Sequence, residues 1–368
     1  MSAFVLAAGG TGGHLFPAQA LAARLLAQGE AVYLTTDVRT EGLADKMPGV
    51  AVRQVRAGRF GGGPLRAACG IADLAVGVVQ ARRLLRQLRP AAVVGFGGYA
   101  SVPTMVAAAQ LGLPTVIHEQ NAVLGRANRM LAPRARRIAT GFSETSGLRP
   151  QDRGRAVQTG NPVRPAILAV GGRPYAPPEP GGTIELLVFG GSQGARVFAE
   201  LVPAALALLP AELRARLRLC QQARPEDGAA VAEQLAALGI AAEVESFFTD
   251  MPERLARAHL VICRAGASTI AELAAAGRPA LLVPYPHAMD DHQSANARNF
   301  AAAGGGWALP QSTLTDAVLA ERLAELLEDA AALQLAAAAA RRFAGDDAAE
   351  RLAALVLSAG AAIAEQAA

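Results

Sequence analysis

Residues 3–14, which read AFVLAAGGTGGH, decide the fold of the first half of the chain. The apolar run over residues 3–8 predicts a buried β-strand, and the glycines at positions 9–13 predict a tight turn. The apolar periodicity of residues 16–28 then predicts a helix that stops near Gly29. A buried strand, a glycine turn and a helix in this order are typical of an α/β protein with a parallel sheet.

The second half of the chain opens with the same pattern. Residues 184–189 (IELLVF) predict a strand, residues 190–194 (GGSQG) a glycine turn, and residues 197–209 a helix. This repeat predicts two Rossmann-like parallel-sheet domains separated by a deep cleft. Other apolar runs predict the remaining strands, at residues 31–36, 91–95, 114–118, 137–140, 156–159, 216–220, 242–246, 260–263 and 280–284.

The chain has 368 residues, which suits two domains of ordinary size. Residues 164–182 read RPAILAVGGRPYAPPEPGG, and this density of Pro and Gly predicts a linker through which neither helix nor sheet continues. The alanine-rich tail after Asp329 predicts helix, and we expect it to cross back onto the first domain. The predicted domains are therefore residues 1–163 with about 345–368, and residues 164–344.

The composition is that of a packed globular protein, with 52% hydrophobic and 18% charged residues. The three cysteines, Cys69, Cys220 and Cys263, predict no disulfide framework and no ligand cluster, and indicate a reducing compartment. The short apolar N-terminus is better explained as a first strand than as a signal peptide. No stretch approaches the roughly 20 apolar residues that a membrane-spanning helix needs.

Charge is distributed unevenly along the chain. Residues 1–164 carry 20 basic and 8 acidic residues, a net charge of +12, whereas residues 165–368 carry 15 and 23, a net charge of −8. The basic excess predicts an anionic partner for the first half. A membrane surface or a phosphate-bearing substrate fits better than nucleic acid, because aromatic residues are only 4% of the chain and form no stacking platform. Arginine inflation by a GC-rich genome is the alternative.

A glycine turn directly after a buried strand lets the backbone approach a ligand, and the helix that follows offers free N–H groups to an anion. In the first half this turn is Gly9–His14, which places an imidazole at the start of a helix. The turn misses the dinucleotide fingerprint because the third glycine would fall on Leu15, although Asp37 imitates the ribose-binding acid of an NAD site. A purely structural turn and a structural histidine are the alternatives.

Two turns in the second half have the same design. In residues 190–195, Ser192 is placed to donate to a phosphate or to cap a helix. In residues 264–272 a helix begins near Ser268, so a phosphate could lie on its N-terminus. Glu272, about one turn further along, could accept hydrogen bonds from both hydroxyls of a ribose; an exposed helix charge is the alternative.

Four further segments follow predicted strands. Residues 287–296 (HAMDDHQSAN) are rich in groups that bind sugar hydroxyls; a metal site is their rival, but no H-E-x-x-H or D-x-D motif occurs. The glycine turn of residues 95–101 and the quartet HEQN at 118–121 lie where parallel sheets bind ligands, at the carboxyl ends of strands; loop solvation is the alternative for the quartet. Residues 160–164 (GNPVR) place a guanidinium beside the predicted cleft.

Seven segments, in this order, cover most of residues 9–300: GGTGGH, GFGGYAS, HEQNAVLGRAN, TGNPVR, GGSQGA, RAGASTIAEL and DDHQSANA. The ordered set resembles glycosyltransferase family 28, the N-acetylglucosaminyltransferases of peptidoglycan synthesis. The resemblance implies an α/β protein with the GT-B fold and an inverting reaction without a metal or other cofactor. N-acetylglucosamine would pass from UDP-N-acetylglucosamine (UDP-GlcNAc) to the C4 hydroxyl of undecaprenyl-diphospho-N-acetylmuramoyl-pentapeptide (lipid I), giving lipid II.

The resemblance also implies site residues. It makes the first domain acceptor- and membrane-binding, with acceptor contacts from Gly9, Gly10, His14, Gly97, Gly98 and Tyr99. The donor would be held by Thr11, Gly12, Gly13, Asn121 and Arg164 from the first domain, and by Ser192, Phe248, Arg264, Ala267, Ser268, Thr269, Ile270, Ala271, Glu272 and Gln293 from the second. Phe248 stands where the family often has isoleucine, so only a main-chain contact is implied.

Inversion in one step needs a base at the attacking hydroxyl. We favour His14, because an ordinary imidazole titrates near neutral pH, with Asn121 and Glu119 as alternatives.

The lipid acceptor implies a peripheral protein on the cytoplasmic face of the cell membrane, with cell-wall synthesis and division proteins as further partners. Residues 71–89 are the candidate membrane contact. Their apolar residues recur at helical spacing and four arginines follow, which is typical of a helix lying on an anionic surface. These residues are Ile71, Leu74, Ala75, Val78, Val79, Arg82, Arg83, Arg86 and Arg89. A helix packed on the sheet is the alternative.

Other functions stay open at this point. The nearest enzymes are other GT-B proteins, either a glycolipid glycosyltransferase or a UDP-sugar epimerase. A UDP-binding protein without turnover is the alternative from another class. An NAD-dependent dehydrogenase is disfavoured by the displaced third glycine.

Overall fold

The computed structural model describes residues 2–9, 12–37, 47–58, 64–191, 195–345 and 347–364. The chain forms two compact units. Unit 1 comprises Met1–Val163 and Asp346–Ala368, and unit 2 comprises Arg164–Gly345.

Unit 1 is built on a parallel sheet with seven strands among the described residues, in the order β3-β2-β1-β4-β5-β6-β7. Strands β4 and β5, near its centre, are buried along their whole length, which explains their continuous apolar runs. The strands are β1 (Ala3–Ala7), β2 (Ala31–Thr36), β3 (Ala51–Gln54), β4 (Ala92–Gly95), β5 (Thr115–Glu119), β6 (Arg137–Thr140) and β7 (Ala156–Gln158).

Helices cover both faces of this sheet. They are α1 (Gly12–Ala27), α2 (Pro64–Leu88), α3 (Gly98–Gln110) and α4 (Arg126–Leu131), together with the C-terminal α14 (Ala348–Ala364). On one face, α14 packs beside α1 and buries Leu352 and Val356 completely. Burying each of these side chains contributes about 1.5–3 kcal/mol. On the other face, α2 and α3 pack together and bury Leu85 and Met105.

Unit 2 has a parallel sheet of six strands among the described residues, in the order β10-β9-β8-β11-β12-β13. These are β8 (Ile184–Phe189), β9 (Leu217–Gln222), β10 (Ala241–Glu245), β11 (Leu260–Cys263), β12 (Ala280–Leu282) and β13 (Gly306–Ala308). The helices are α5 (Pro165–Gly171), α6 (Arg196–Ala207), α7 (Ala211–Arg214), α8 (Pro225–Ala237), α9 (Met251–Arg257), α10 (Ala267–Ala276), α11 (His292–Ala302), α12 (Asp316–Glu328) and α13 (Ala330–Ala344). Two Rossmann-like parallel sheets confirm the predicted α/β fold class; the cleft stays a prediction.

The expectation that no helix occurs in residues 164–182 is wrong. Helix α5 begins there at Pro165, with Arg164 as its extended N-cap (φ −62°, ψ 141°). Proline is favoured at the first helical position, because the N–H that it lacks would have no partner in the helix. Ile167 is fully buried and anchors the helix in unit 2. Residues 172–183, which follow α5, lack helix and strand, and they lie within unit 2 rather than between the units.

Two strands and one helix start differ from expectation. Strand β3 is half exposed, and β13 has three residues, so neither presents the long apolar run that predicts a buried strand. Helix α1 begins at Gly12 rather than near Phe16, so glycines 12 and 13 form its first turn.

Candidate active site

The carboxyl ends of β1, β4 and β5 bring three of the predicted segments together in unit 1. Gly97 and Gly98, after β4, have positive φ angles of 81° and 67°, which glycine adopts without strain. The ring of His14 lies against this turn, because a Cβ added to Gly98 would lie 3.3 Å from its Cδ2 and 3.4 Å from its Nε2. A side chain at position 98 would therefore crowd the imidazole. Gly97, Gly98 and His14, which are predicted to contact the acceptor substrate, therefore lie side by side.

Two side chains of the HEQN quartet stand behind the imidazole. Nδ1 of His14 lies 3.1 Å from Oε1 of Gln120. Nε2 of Gln120 lies 3.0 Å from the carbonyl oxygen of Phe96, 3.0 Å from Nδ1 of His118 and 3.2 Å from the carbonyl oxygen of His118. Nε2 of His118 lies 3.0 Å from the carbonyl oxygen of Gly160. A continuous polar chain thus connects the half-buried His14 to the fully buried His118.

Glu119 organises the same loop. Its Oε1 accepts hydrogen bonds from the backbone and side-chain nitrogens of Asn121, at 3.0 and 3.2 Å. Its Oε2 accepts from the backbone N–H of Gly125 and from Nδ2 of Asn128, both at 2.8 Å. A carboxylate has about four acceptor positions, so these four donors engage all of them. Because the side chain is also buried, this geometry disfavours Glu119 as the catalytic base and makes it a support for Asn121.

His118 has no exposed surface, and burial is the main reason that its pKa is lowered from 6.5 to about 4; the carbonyl of Gly160 opposes this shift, and His14 adds to it. Unfolded His118 binds a proton below pH 6.5, but folded His118 does so only near pH 4. Protonation of His118 therefore favours the unfolded chain. The contribution of neutral His118 to the stability of the folded protein is complete above pH 6.5 and is lost as the pH falls towards 4.

We expect this effect to appear as an acid sensitivity that depends on His118. Between pH 7 and pH 4 the buried imidazole should account for about 3 kcal/mol of the decrease in the free energy of unfolding. Urea denaturation at both pH values should show a decrease that is smaller by this amount in His118→Gln. The matched variant at the exposed His287, His287→Gln, should follow the parent; an equal decrease in all three proteins would contradict the assignment.

In unit 2 the turn between β11 and α10 leads into a helix N-terminus that has no side-chain cap. Gly266 precedes the helix and has no side chain with which to cap it, and α10 has no acidic residue in its first turn. The N–H groups of Ala267, Ser268 and Thr269 are therefore the unpaired first-turn donors of a helix whose dipole favours negative charge. The residues of this turn that are predicted to bind the donor substrate therefore lie at one helix end. Ile270 and Ala271 follow in the same helix, where Ile270 is buried and Ala271 is half-buried.

Glu272 lies further along the same helix and forms an ion pair. Its Oε1 accepts from Nε of Arg164 at 2.8 Å, and the Glu272 side chain is 13% exposed. The prediction that Arg164 reaches the donor from the first domain is corrected by this placement: Arg164 belongs to unit 2, because it is the N-cap of α5. Two of the predicted donor-binding residues therefore lie side by side.

Gln293, in the first turn of α11, connects two loops of unit 2. Its Oε1 accepts from the backbone N–H of Ala265, after β11, at 3.2 Å, and from that of Tyr285, after β12, at 3.0 Å. Because both backbone groups can only donate, the amide is oriented with its amino group directed away from them. Asp290 and Asp291, just before α11, have φ angles of 52° and 51°. Such strained residues often occur near ligand sites.

Two other predicted donor residues are held inside unit 2. Nη1 of Arg264 donates to the carbonyl oxygens of Val283 and Pro284, both at 3.1 Å, and burial lowers the pKa of the guanidinium. Arg264 thereby supports the loop after β12. The ring of Phe248 is buried beneath the guanidinium of Arg254, 4.2 Å from its centroid, so its side chain belongs to the core. The contacts of Arg264 and Phe248 with the donor stay predictions.

The remaining predicted residues are placed as follows. Gly12 and Gly13 begin α1, Gly9 follows β1, and Tyr99 is 37% exposed in the first turn of α3. Three residues, Gly10, Thr11 and Ser192, lie outside the described residues. Within the described ranges, no three His, Cys, Asp or Glu side chains come together as a potential metal site.

Two contributors were not assigned a role from the sequence. Gln120 contacts His14, and Asn128 donates to Glu119, but the motifs that contain them give neither residue a role of its own. The unbroken polar run after β5 was the available signal for Gln120. For Asn128 the contact depends on how α4 packs against β5, which local sequence does not reveal.

Solved structures share this architecture. Over 97% of this chain and all of the other, the structure resembles the crystal structure of Acinetobacter baumannii MurG, with a TM-score of 0.80 and 31% identity. It also resembles the glycotransferase of kitacinnamycin, with a TM-score of 0.73 over 97% and 99% of the two chains. That second pair is only 18% identical, so the likeness concerns the fold. These similarities and the two parallel sheets define a glycosyltransferase with the GT-B fold.

Family models match both halves of the chain. The glycosyltransferase family 28 N-terminal domain matches residues 4–140, and the family 28 C-terminal domain matches residues 185–352. The chain belongs to glycosyltransferase family 28.

Two curated relatives carry the name UDP-N-acetylglucosamine--N-acetylmuramyl-(pentapeptide) pyrophosphoryl-undecaprenol N-acetylglucosamine transferase. The relative from Rhodospirillum centenum is 58% identical over 98% of this chain and 95% of its own length. The one from Rhodospirillum rubrum is 56% identical over 95% of this chain and 90% of its own length.

Proposed function

We propose that this glycosyltransferase transfers N-acetylglucosamine from UDP-GlcNAc to the C4 hydroxyl of lipid I and so forms lipid II. The substrates are those in the names of its relatives, which are up to 58% identical over nearly the whole chain. The structural observation that carries the proposal is the grouping, in unit 2, of an anion-binding helix end, a carboxylate and an oriented amide. These are the groups that a sugar nucleotide requires: donors for its diphosphate and partners for its hydroxyls.

The donor binds to unit 2 in this proposal. Its diphosphate accepts hydrogen bonds from the first-turn N–H groups of α10, with Ser192 as a further donor. Glu272 accepts from the ribose hydroxyls, and Arg164, already paired with Glu272, keeps the carboxylate in place. The amino group of Gln293 donates to a hydroxyl of the transferred sugar. The same helix end stabilises the charge that develops on UDP as it leaves.

The acceptor binds to unit 1 in this proposal. Its diphosphate lies near Gly9 and the turn at Gly97 and Gly98, and Tyr99 lines the same surface. His14 takes the proton from the C4 hydroxyl while the oxygen attacks C1 of the donor sugar. The new O4–C1 bond forms as the bond from C1 to the phosphate oxygen breaks, so the anomeric configuration inverts and UDP departs.

A transfer assay tests the proposal directly. Purified full-length protein is incubated with UDP-GlcNAc that is radiolabelled in the sugar, with and without lipid I. We expect label to move to the lipid fraction and UDP to appear in equal amount, only when lipid I is present. Transfer to a simple glycolipid instead, epimerisation of the sugar nucleotide, or binding of UDP-GlcNAc without any release of UDP would contradict the proposal.

The membrane contact that we propose lies on α2. Its residues divide between two faces, because Leu74 and Val78 pack against the core, whereas Ile71 and Val79 are 60% and 50% exposed. Ala75 lies between these two on the exposed face, and Arg83 and Arg86 continue it at the C-terminal end. An exposed apolar row that ends in arginines suits a helix at an anionic lipid surface. No helix in the described part of the chain is long and apolar enough to cross a membrane.

The exposed face of α2 gives a sharp test. We expect Val79→Glu to weaken binding to vesicles containing anionic phospholipid by at least about tenfold, because an apolar contact is lost and a like charge is introduced. Vesicle sedimentation measures the effect. The matched control is Val157→Glu, which places the same change at a valine that is 41% exposed on β7 and should bind like the parent. Parent-like binding by Val79→Glu would remove α2 from the membrane contact.

We propose that the membrane surface to which the enzyme binds is the cytoplasmic face. The three cysteines of the enzyme are free thiols, which suits a reducing compartment. Cell-wall synthesis and division proteins are the partners that we expect there.

A further inference from the structure

The polar chain behind His14 defines the position of every hydrogen along it. At its far end the carbonyl oxygen of Gly160 lies 3.0 Å from Nε2 of His118. A peptide carbonyl can only accept, so Nε2 of His118 must carry the hydrogen. The ring is neutral because burial holds the pKa of His118 near 4, so its Nδ1 has a lone pair. That lone pair can only accept, and the group 3.0 Å away is Nε2 of Gln120.

The amide of Gln120 has one orientation that satisfies its neighbours. The carbonyl oxygens of Phe96 and His118 lie 3.0 and 3.2 Å from Nε2 of Gln120, and both are acceptors. If the amide were reversed, its oxygen would face two carbonyl oxygens and a ring lone pair. Gln120 is only 3% exposed, so such an arrangement would bury unpaired acceptors at a cost of about 1–3 kcal/mol each. The oxygen of the amide therefore faces His14.

We propose that Gln120, oriented by His118 and the Phe96 carbonyl, is a positioning residue that holds His14 in the tautomer with the hydrogen on Nδ1. Oε1 of Gln120 can only accept, and Nδ1 of His14 lies 3.1 Å from it, so Nδ1 must donate. Nε2 of the neutral ring then carries the lone pair. Glutamine performs here the orienting task that a carboxylate performs in the Ser-His-Asp triad, but without adding a charge beside the imidazole.

The nitrogen that carries this lone pair lies beside Gly98. A Cβ added to Gly98 would come within 3.4 Å of Nε2, so the glycine keeps a side chain away from that atom. In the opposite tautomer, Nε2 would carry a hydrogen and could not accept the proton of a hydroxyl. The importance of the tautomer for turnover rests on the proposed function, whereas the tautomer itself does not.

Nitrogen-15 NMR of the full-length protein, labelled only in histidine, tests the proposal. The chain has five histidines, and the His14 signals are assigned by their loss in His14→Gln. For the neutral ring, we expect the shift of a protonated nitrogen at Nδ1 and of an unprotonated nitrogen at Nε2. In Gln120→Met, a substitution of similar volume without the acceptor, the two shifts should move towards each other as both tautomers become populated.

Kinetics provide the second readout. Gln120→Met should lower kcat by about tenfold and leave KM for UDP-GlcNAc within about twofold, because only a proton-transfer step is affected. Gln110→Met, which removes a glutamine that accepts from Arg82 in the same unit, is the matched control and should retain parent shifts and kcat.

Two results would overturn the proposal: a protonated Nε2 in the parent protein, or unchanged His14 shifts in Gln120→Met. The first measurement needs no variant and therefore stands even if Gln120→Met does not fold. If the parent shows the expected tautomer but His14→Ala retains turnover, the positioning by Gln120 stands, and the role of His14 as the base fails.

Discussion

Replacing His14 with alanine should lower kcat for sugar transfer by about 10²–10⁴-fold, the usual contribution of a positioned general base. The structure motivates this size of effect because His14 combines a glycine surface on one side with a hydrogen-bonded support on the other. KM for UDP-GlcNAc should stay within about twofold, since we assign donor binding to unit 2. Steady-state kinetics with saturating lipid I and calorimetric titration with UDP separate the two quantities.

The alternatives for the base predict different results. If Asn121 or a water molecule held by it took the proton, His14→Ala would keep kcat within about threefold of the parent. That outcome would remove His14 from the chemistry. A parallel loss of UDP affinity and kcat would also contradict the assignment, because it would indicate general disruption of the protein. Far-UV circular dichroism and thermal unfolding of the variant provide the check on folding.

Glu272→Gln should raise KM for UDP-GlcNAc by about 10–100-fold with little change in kcat. A carboxylate that accepts from two ribose hydroxyls forms charge-assisted hydrogen bonds, each contributing about 1.5–3 kcal/mol, and an amide retains only part of this. The substitution keeps the shape of the side chain and leaves an oxygen that can still accept from Nε of Arg164. The variant therefore changes the ligand contact more than the fold.

A comparison of binding of UDP-GlcNAc and its 2′-deoxyribose analogue tests the contact between Glu272 and the 2′-hydroxyl alone. The parent should bind 2′-deoxy-UDP-GlcNAc more weakly than UDP-GlcNAc, whereas Glu272→Gln should discriminate much less between the two, since partners in one interaction are not additive. Glu226→Gln, at an exposed glutamate in the first turn of α8, is the matched control. Equal discrimination by the parent and Glu272→Gln would show that Glu272 does not contact the 2′-hydroxyl.

The two sheets could be predicted because their central strands are buried on both faces. Such strands must be apolar along their whole length, and glycine turns mark their carboxyl ends, so Ile184–Phe189 was located to the residue. Edge strand β3 lacked this signal. The helix that begins at Pro165 could not be predicted from composition, because the effect of a proline depends on its position in a helix.

The candidate site also contains residues that the sequence indicates and residues that it does not. Residues that belong to a motif, such as His14, Glu272 and Gln293, could be named as candidates from sequence order. Their partners could not: Gln120 holds His14 only because β1, β4 and β5 meet at one edge, over 100 residues apart in the chain. The face of α2 is a further example. Helical spacing placed Val78 and Val79 together, yet only packing decides that Val79 is the exposed one.

Under the proposed function, the amide of Gln293 has consequences for how the preference for a sugar can evolve. Its oxygen joins the backbone of Ala265 to that of Tyr285, and its amino group points the other way. A glutamate at this position could keep both backbone hydrogen bonds through one oxygen and offer a second acceptor in place of a donor. A single base substitution in the codon makes that exchange. Selection could thus alter which hydroxyl pattern is recognised while the neighbouring loops keep their course.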